Sequence, residues 1–164
     1  MSSTSHPQDH IEVVRAEWAD YNNHMNLAYY VLVFDHGTDA FLAHFGITDA
    51  LREATGSSCF AAEAHVTYDN EVMVGETVQV QTQIIDHDSK RLHLFHQMFK
   101  SDGELAATNE LMILHVNLNT RKVCPFPEDM LNKISSIAHI DATKPKPKQI
   151  GQAISIKRPA NSTS

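Results

Sequence analysis

Residues 20–46 read DYNNHMNLAYYVLVFDHGTDAFLAHFG, which joins a short polar cluster to a long apolar pattern. Apolar residues in this stretch recur at spacings of three, four and seven, as on the buried stripe of a helix. They are Leu27, Tyr30, Val31, Phe34, Phe41, Leu42 and Phe45. Asparagines in the polar cluster suit a helix start, and Gly46 suits a left-handed C-terminal cap. The pattern predicts a helix over residues 26–45.

Asp20 and His24 place acid–base chemistry directly before this helix. The first amides of a helix lack intrahelical acceptors and lie at the positive end of its dipole, so they stabilise an oxyanion placed there. The cluster therefore predicts a site where a polarised carbonyl is held and attacked. A structural role is the alternative, because Asp and Asn are common helix caps.

The residues after the helix predict a sheet. Four segments have strand character and are separated by turn signals. They span residues 58–70, 76–87, 91–101 and 104–118. We expect an antiparallel meander, with the helix covering the apolar face of residues 78–84. A first strand is predicted at residues 10–17 and a short closing helix at 128–137.

A chain of 164 residues predicts one domain. The first ten residues are polar, and no apolar run reaches the roughly 20 residues that span a bilayer, so neither a signal peptide nor a membrane partner is expected. Cys59 and Cys124 are too few and too far apart for a disulfide framework. This usage fits a reducing cytoplasm, and neither cysteine is an obvious nucleophile.

Charge divides the chain into an acidic body and a basic tail. Residues 1–140 carry 8 Lys and Arg against 19 Asp and Glu, whereas residues 141–164 carry 5 against 1. An acidic body argues against nucleic acid as a partner. We expect an N-terminal arm at 1–9, a domain at 10–140 and a tail at 141–164. The tail is either solvated and mobile or docked on an acidic body.

One long helix against five strands is the arrangement of the hotdog fold, and the motifs resemble those of hotdog acyl-CoA thioesterases of the hydroxybenzoyl-CoA type. DYNNHMN and the tyrosines after it are similar to the DxNxHxN signature that begins the central helix in that family. Tyr68 to Glu71, with Gly75 and Glu76, resembles its Y-x-x-E and G-D/E elements. The resemblance implies an α+β class with a single hotdog domain, in which a five-stranded antiparallel sheet wraps around the helix.

Five segments make the likeness more specific: DYNNHMN, VFDHGTDAFL, AEAHV, DSKRLHLFHQMF and AATNELMILHV. Together they resemble the thioesterases that are fused to, or encoded beside, L-carnitine dehydrogenases. This resemblance covers residues 10–126 and implies cofactor-independent hydrolysis of betainyl-CoA in carnitine breakdown. A general short-chain or aromatic acyl-CoA thioesterase is the alternative. The sequence has no dinucleotide-binding GxGxxG, so an L-carnitine dehydrogenase partner would be a separate polypeptide.

The resemblance also implies roles for single residues. Asp20 matches the catalytic carboxylate, which either activates water or attacks the carbonyl itself. His24 matches the motif histidine, which polarises the thioester oxygen or protonates the departing thiolate, and Asn22 orients the reacting group. The backbone amides of His24, Met25 and Asn26 would form the oxyanion hole.

The motif departs from the family's frequent form at two positions and leaves a second carboxylate open. Asn23 replaces a glycine, although Asn reaches left-handed backbone angles less readily, and Leu27 replaces an asparagine. Glu71, through its Y-x-x-E match, and Glu63, on one strand face with His65, are both candidate second carboxylates. An exposed surface charge is the alternative for each.

A betaine acyl group requires a site for a quaternary ammonium, which favours aromatic faces and nearby carboxylates. Trp18, Tyr21 and Tyr29 are the candidate substrate-binding aromatics because they lie close to the motif in sequence. Burial in the core or an interface is the alternative for each.

Eleven histidines do not by themselves predict a metal site. His93 and His96 would point to opposite faces of a strand, and the pair His6 and His10 has no partner cysteine or recurring carboxylate. We therefore expect no metal. The candidate contacts for CoA phosphates are Lys90, Arg91, Arg121 and Lys122, with solvated charges as the alternative.

Hotdog protomers leave a sheet edge uncovered, so the resemblance implies a homodimer or homotetramer with sites at the shared interface. A hotdog hydratase is disfavoured, because such enzymes space the motif as D-x-N-x-x-H and this chain has D-x-N-x-H. A non-catalytic acyl-CoA sensor is disfavoured because the sequence offers no DNA-binding segment and retains Asp20 and His24.

Overall fold

The computed structural model describes residues 5–156, which fold around one long helix. In chain order the elements are β1 (His10–Val13), a 3-10 helix (Ala16–Trp18), α1 (Leu27–His44), α2 (Asp49–Thr55), β2 (Ser57–Tyr68), β3 (Thr77–His87), β4 (Arg91–Lys100), β5 (Leu105–Asn117), β6 (Lys122–Val123) and α3 (Glu128–Asp141). The sheet order is β1-β3-β4-β5-β2 with antiparallel neighbours, and β6 pairs with β5. The predicted α+β hotdog architecture is confirmed.

Helix α1 packs its apolar stripe against the concave face of the sheet. Its buried residues are Tyr30, Val33, Phe34, Gly37, Thr38, Phe41 and Leu42. Asn26 caps the helix start, since its side-chain oxygen accepts a hydrogen bond from the Ala28 amide at 3.0 Å. Gly46 follows the helix with a left-handed φ of 88°, as the cap predicts. Leu27 and Val31 are 63% and 43% exposed, so the buried stripe begins at Tyr30 and these two assignments are wrong.

Gly37 allows α1 to lie close to two strands. A Cβ atom at this position would lie 3.0 Å from Val80 Cγ1 and 3.7 Å from the Cβ of His10. The absence of a side chain therefore sets the distance of the helix from β3 and β1.

The predicted four-strand meander is wrong in one respect, because β2 pairs with β5 and does not pair with β3. The connection 69–76 between β2 and β3 is too long and too well anchored to be a hairpin turn. Asp69 and Asn70 both donate backbone hydrogen bonds to the carbonyl of Ala106, and Val72 is fully buried. This connection carries the chain across the end of the sheet, toward the start of α1.

Other element boundaries also differ from the predictions. Strand β1 ends at Val13, since the chain then turns into the 3-10 helix that buries Trp18. Helix α3 continues beyond residue 137 to Asp141, whose carboxylate accepts a hydrogen bond from the Ile84 amide at 2.8 Å. Helix α2 has no buried residue and therefore no apolar stripe from which to predict it.

Both described ends of the chain contact the folded body. His6 Nε2 lies 2.9 Å from Asp141 Oδ1, and the amide of Gly151 donates to Glu110 Oε2 at 2.8 Å. Within residues 5–156, no helix is both long enough and apolar enough to cross a membrane.

Candidate active site

The loop between the 3-10 helix and α1 closes around the side chain of Asp20. Its Oδ1 atom accepts hydrogen bonds from the amides of Asn22, at 2.8 Å, and His24, at 3.0 Å. The backbone amide of Asp20 donates to the carbonyl of His24 at 2.8 Å, which completes the ring. Asn23 adopts a left-handed φ of 62° within it. Asparagine is one of the few residues other than glycine that adopt this conformation.

The other carboxylate oxygen of Asp20 has different surroundings. Asp20 is half-buried, and within residues 5–156 its Oδ2 atom makes no hydrogen bond. One oxygen therefore holds the carboxylate in place, and the other has no hydrogen-bond partner among these residues. Asn22 is exposed and supports Asp20 through its backbone amide. That contact differs from the side-chain orienting role expected for it.

His24 pairs with Glu71 beside this loop. His24 Nδ1 lies 3.4 Å from Glu71 Oε2, and the two side chains are 26% and 76% exposed. A β-bridge between His24 and Met73 and a 2.7 Å hydrogen bond from the Met25 amide to the Val72 carbonyl bring the two segments together. Of the two candidate second carboxylates, Glu71 is therefore the one that meets the motif.

Glu63 occupies a different place. It lies on β2, in a surface cavity that His65, His93 and Glu110 also line. His93 Nε2 is 2.8 Å from Glu110 Oε1, so this cavity has its own hydrogen-bonded pair.

Tyr30 is a supporting residue that sequence reasoning assigned only to the buried stripe. Its hydroxyl accepts a hydrogen bond from the Val72 amide at 3.1 Å and donates to the Asn70 carbonyl at 3.3 Å. Burial raises the pKa of this phenol, which keeps it neutral. Tyr30 thereby fixes both neighbours of Glu71 to helix α1. The tyrosine pair after the motif was the available sequence signal.

The predicted oxyanion hole needs correction, because its three backbone amides already have acceptors. His24 donates to Asp20 Oδ1, Met25 to the carbonyl of Val72, and Asn26 to the carbonyl of Trp18. Helix α1 begins one residue later, at Leu27.

Further along α1, Ala28 and Tyr29 both donate to Asn26, to its side chain and its carbonyl respectively. In the described part of the chain, the Leu27 amide is the first of the helix and has no hydrogen-bond acceptor. This amide is therefore an unpaired donor at the positive end of the helix dipole.

The three candidate aromatics have different environments. Trp18 is buried and stacks on Tyr29, with ring centroids 5.4 Å apart and planes at 15°. The guanidinium of Arg15 lies over the same indole at 4.9 Å. Because Trp18 is only 4% exposed, its indole offers no free face to a ligand from solvent. Tyr21 is 97% exposed and is the accessible aromatic of the three.

Cys59 and Arg91 each have a defined environment. Burial raises the pKa of Cys59 to about 12, with a smaller contribution from Cys124, so Cys59 is a neutral thiol at physiological pH. Of the candidate phosphate contacts, Arg91 is engaged by Asp88, whose Oδ2 lies 2.6 Å from its Nη2.

Comparisons with known proteins show which proteins this chain resembles in sequence and in fold. The betainyl-CoA thioesterase of Pseudomonas aeruginosa is 38% identical over 144 residues, which are 87% of this chain and 91% of that protein. An L-carnitine dehydrogenase/betainyl-CoA thioesterase of Ruegeria pomeroyi is 38% identical over 147 residues, 90% of this chain but 29% of that longer protein. A Staphylococcus aureus protein solved in complex with CoA has a TM-score of 0.87 at 35% identity, covering 95% of this chain and 100% of that one.

The resemblance read from the motifs is therefore confirmed. The sequence profile of the thioesterase-like superfamily matches residues 14–134, which include the Asp20 loop, the central helix and the whole of β2 to β5. The chain belongs to the thioesterase-like superfamily.

Proposed function

We propose that this chain hydrolyses the thioester bond of betainyl-CoA, releasing betaine and CoA. The observation that carries the proposal is the geometry of Asp20, whose Oδ1 is held by two backbone amides while Oδ2 is left for reaction. The similarity to the Pseudomonas aeruginosa betainyl-CoA thioesterase supports the choice of substrate.

In the proposed reaction Asp20 either attacks the thioester carbonyl, forming a mixed anhydride that water then hydrolyses, or removes a proton from the water that attacks the carbonyl. Both routes place negative charge on the carbonyl oxygen. The Leu27 amide and the positive end of the α1 dipole stabilise that charge, and one such donor contributes about 3–4 kcal/mol in acyl transfer. His24, held beside Glu71, polarises the oxygen or protonates the thiolate as the carbon–sulfur bond breaks.

The accessible groups around the loop suit a cationic acyl group. Tyr21 presents an exposed aromatic ring, and Glu71 presents an exposed carboxylate. A trimethylammonium group is attracted both to a ring face and to a negative charge. Trp18 is excluded from this role because Tyr29 and Arg15 cover its ring.

A homodimer would complete the site. Strand β2 is an edge of the sheet, and residues 60–64 along it are exposed, including Phe60 at 42%. An uncapped apolar edge of this length invites pairing with another strand. We therefore propose that β2 is the contact between two copies.

We also propose that the dehydrogenase of the pathway is a separate polypeptide. The enzyme works in the cytoplasm, where its free thiols stay reduced.

The direct test is free-thiol release from betainyl-CoA, benzoyl-CoA and hexanoyl-CoA. We expect rapid cleavage of betainyl-CoA and a loss of at least about 100-fold in kcat for Asp20→Asn, because the substituted amide can neither attack nor accept a proton. Asp49→Asn is the matched control, since Asp49 is an exposed residue of α2 that pairs with Arg52.

The outcomes separate the substrate from the catalytic assignment. Equal cleavage of all three thioesters would reject betaine specificity and indicate a general acyl-CoA thioesterase. Full activity in Asp20→Asn would reject the catalytic role of Asp20.

A further inference from the structure

Three side chains converge at a place that the proposed hydrolysis does not use. His10 and Glu12 lie on β1, and His36 lies on α1. One ligand atom from each, a histidine nitrogen or a carboxylate oxygen, lies within 4.8 Å of the other two. The side chains are 24%, 11% and 36% exposed respectively, so the cluster is partly shielded and still reachable from solvent.

The fold explains why these residues meet. His10 and Glu12 are two positions apart on a strand and therefore point to the same face. Gly37, the neighbour of His36, lets helix α1 approach β1 so closely that a Cβ there would lie 3.7 Å from the Cβ of His10. From the sequence we expected no metal, because His10 was considered together with His6. His36 is distant from both in the sequence, and only the fold brings it next to β1.

Both imidazoles contact the same carboxylate oxygen. Glu12 Oε2 lies 3.0 Å from His10 Nε2 and 2.8 Å from His36 Nδ1. In a tetrahedral site with bonds of about 2.0–2.1 Å, neighbouring ligand atoms are about 3.3–3.4 Å apart. Each nitrogen would move roughly 0.3–0.6 Å away from the Glu12 oxygen to admit an ion, and the two nitrogens lie within 4.8 Å of each other.

Charge at the cluster suits a cation. Glu12 supplies a carboxylate that both imidazoles contact, and a carboxylate binds a metal in its ionised form. Within residues 5–156, Arg15 is the one lysine or arginine that contacts Glu12. Its Nη2 lies 3.4 Å from Glu12 Oε1, the oxygen that the imidazoles do not contact.

We propose that His10, Glu12 and His36 form a binding site for a divalent transition metal of the Zn²⁺ type. Two imidazoles and one carboxylate are a ligand set that Zn²⁺ accepts, with water in the remaining position. The ion would join β1 to α1. The segment between these two elements contains the 3-10 helix and the loop that holds Asp20. Its role is structural, and it takes no part in the thioester chemistry.

The test is a calorimetric titration of the full, tag-free chain with ZnCl₂ after removal of metal by a chelator. We expect one Zn²⁺ per chain and an affinity at least about tenfold weaker in Glu12→Gln and in His36→Gln, since even the loss of a group that supports a ligand costs about 10–100-fold. His44→Gln is the matched control, because His44 is an exposed histidine of the same helix.

Two further measurements distinguish the loss of a metal ligand from misfolding of the variant. Circular dichroism in chelator establishes that each variant retains its fold, and Zn²⁺ should raise the Tm of the wild-type chain and of His44→Gln only. Co²⁺ should give visible absorption bands that disappear in His36→Gln. Absence of a one-to-one site in the wild-type chain, or unchanged Zn²⁺ affinity in both Glu12→Gln and His36→Gln, would overturn the proposal.

Discussion

The loop before α1 gives the two oxygens of Asp20 different surroundings. Backbone amides hold Oδ1, and this fixes the plane of the carboxylate before any substrate arrives. Preorganisation of this kind removes a reorganisation cost from the reaction step. Asn22 contributes a backbone amide and Asn23 contributes a left-handed φ, so the asparagines of the motif act through conformation.

Another buried residue, His96, makes the stability of the protein depend on pH. Its imidazole is fully buried between the hydroxyls of Thr38, 3.1 Å from Nε2, and Thr82, 2.9 Å from Nδ1. Thr38 donates its own proton to the Phe34 carbonyl, so it accepts from His96, and Thr82 donates to Nδ1. Burial lowers the pKa of His96 from 6.5 to about 4. The folded protein therefore holds a neutral imidazole.

We expect the free energy of unfolding to fall as the pH is lowered from 6.5 to 4. In that range His96 binds a proton in the unfolded chain but stays neutral in the folded chain. Above pH 6.5 it is neutral in both, so the full stability is present. At pH 4 the neutral His96 lowers the free energy of unfolding by about 3 kcal/mol relative to its value above pH 6.5. Urea unfolding at several pH values should give a shallower pH slope for His96→Gln than for the wild-type chain.

The exposed His44 provides the comparison for this measurement. His44→Gln should keep the wild-type slope, since solvent reaches this histidine in the folded chain. An identical slope in His96→Gln would show that another group is responsible for the pH dependence.

At the scale of elements, periodicity predicted α1 well because one face of the helix is buried, and turn signals predicted most strand bounds. The site was only partly predictable. Asp20 and His24 follow from a local motif, but the choice of Glu71 over Glu63 depends on where the connection 69–76 crosses the sheet. The sequence did not predict that the Leu27 amide lacks an acceptor, because the backbone hydrogen bonds of the loop decide which donors remain free.

Gly37 gives a test of how closely α1 lies on the sheet. We expect Gly37→Val to lower the free energy of unfolding by at least about 2 kcal/mol, because the new side chain would overlap the buried Val80. Chemical denaturation measures this change. Ala40→Val introduces the same side chain at an exposed position of the same helix and should cost only about 0.5 kcal/mol of helix propensity. Similar losses in both variants would show that the close approach is unimportant.

At the scale of the whole molecule, the order of the strands was the feature that the sequence specified least. Local turn signals located each strand, but they do not determine that β2 leaves β3 and joins the far side of β5. That pairing depends on long-range contacts, such as the burial of Val72 and the hydrogen bonds from Asp69 and Asn70 to Ala106. It also makes β2 an edge strand.

The exposed edge predicts that two copies associate through β2 and that activity depends on their association. Phe60→Lys combined with Ala64→Lys places like charges along this edge, and these would face each other across a two-fold contact. We expect light scattering to report a fall from dimer to monomer mass, together with a large loss of thioesterase activity while the circular dichroism spectrum is retained.

Ile11→Lys tests the opposite edge of the same sheet. Ile11 lies on β1 and is 63% exposed, so this variant adds a lysine in place of an exposed apolar side chain without touching β2. Its mass and activity should match those of the wild-type chain. If Ile11→Lys alone dissociates the protein, the subunit contact lies on β1. If the double variant at β2 is monomeric and fully active, the site is complete within one chain and the dimer is not required for hydrolysis.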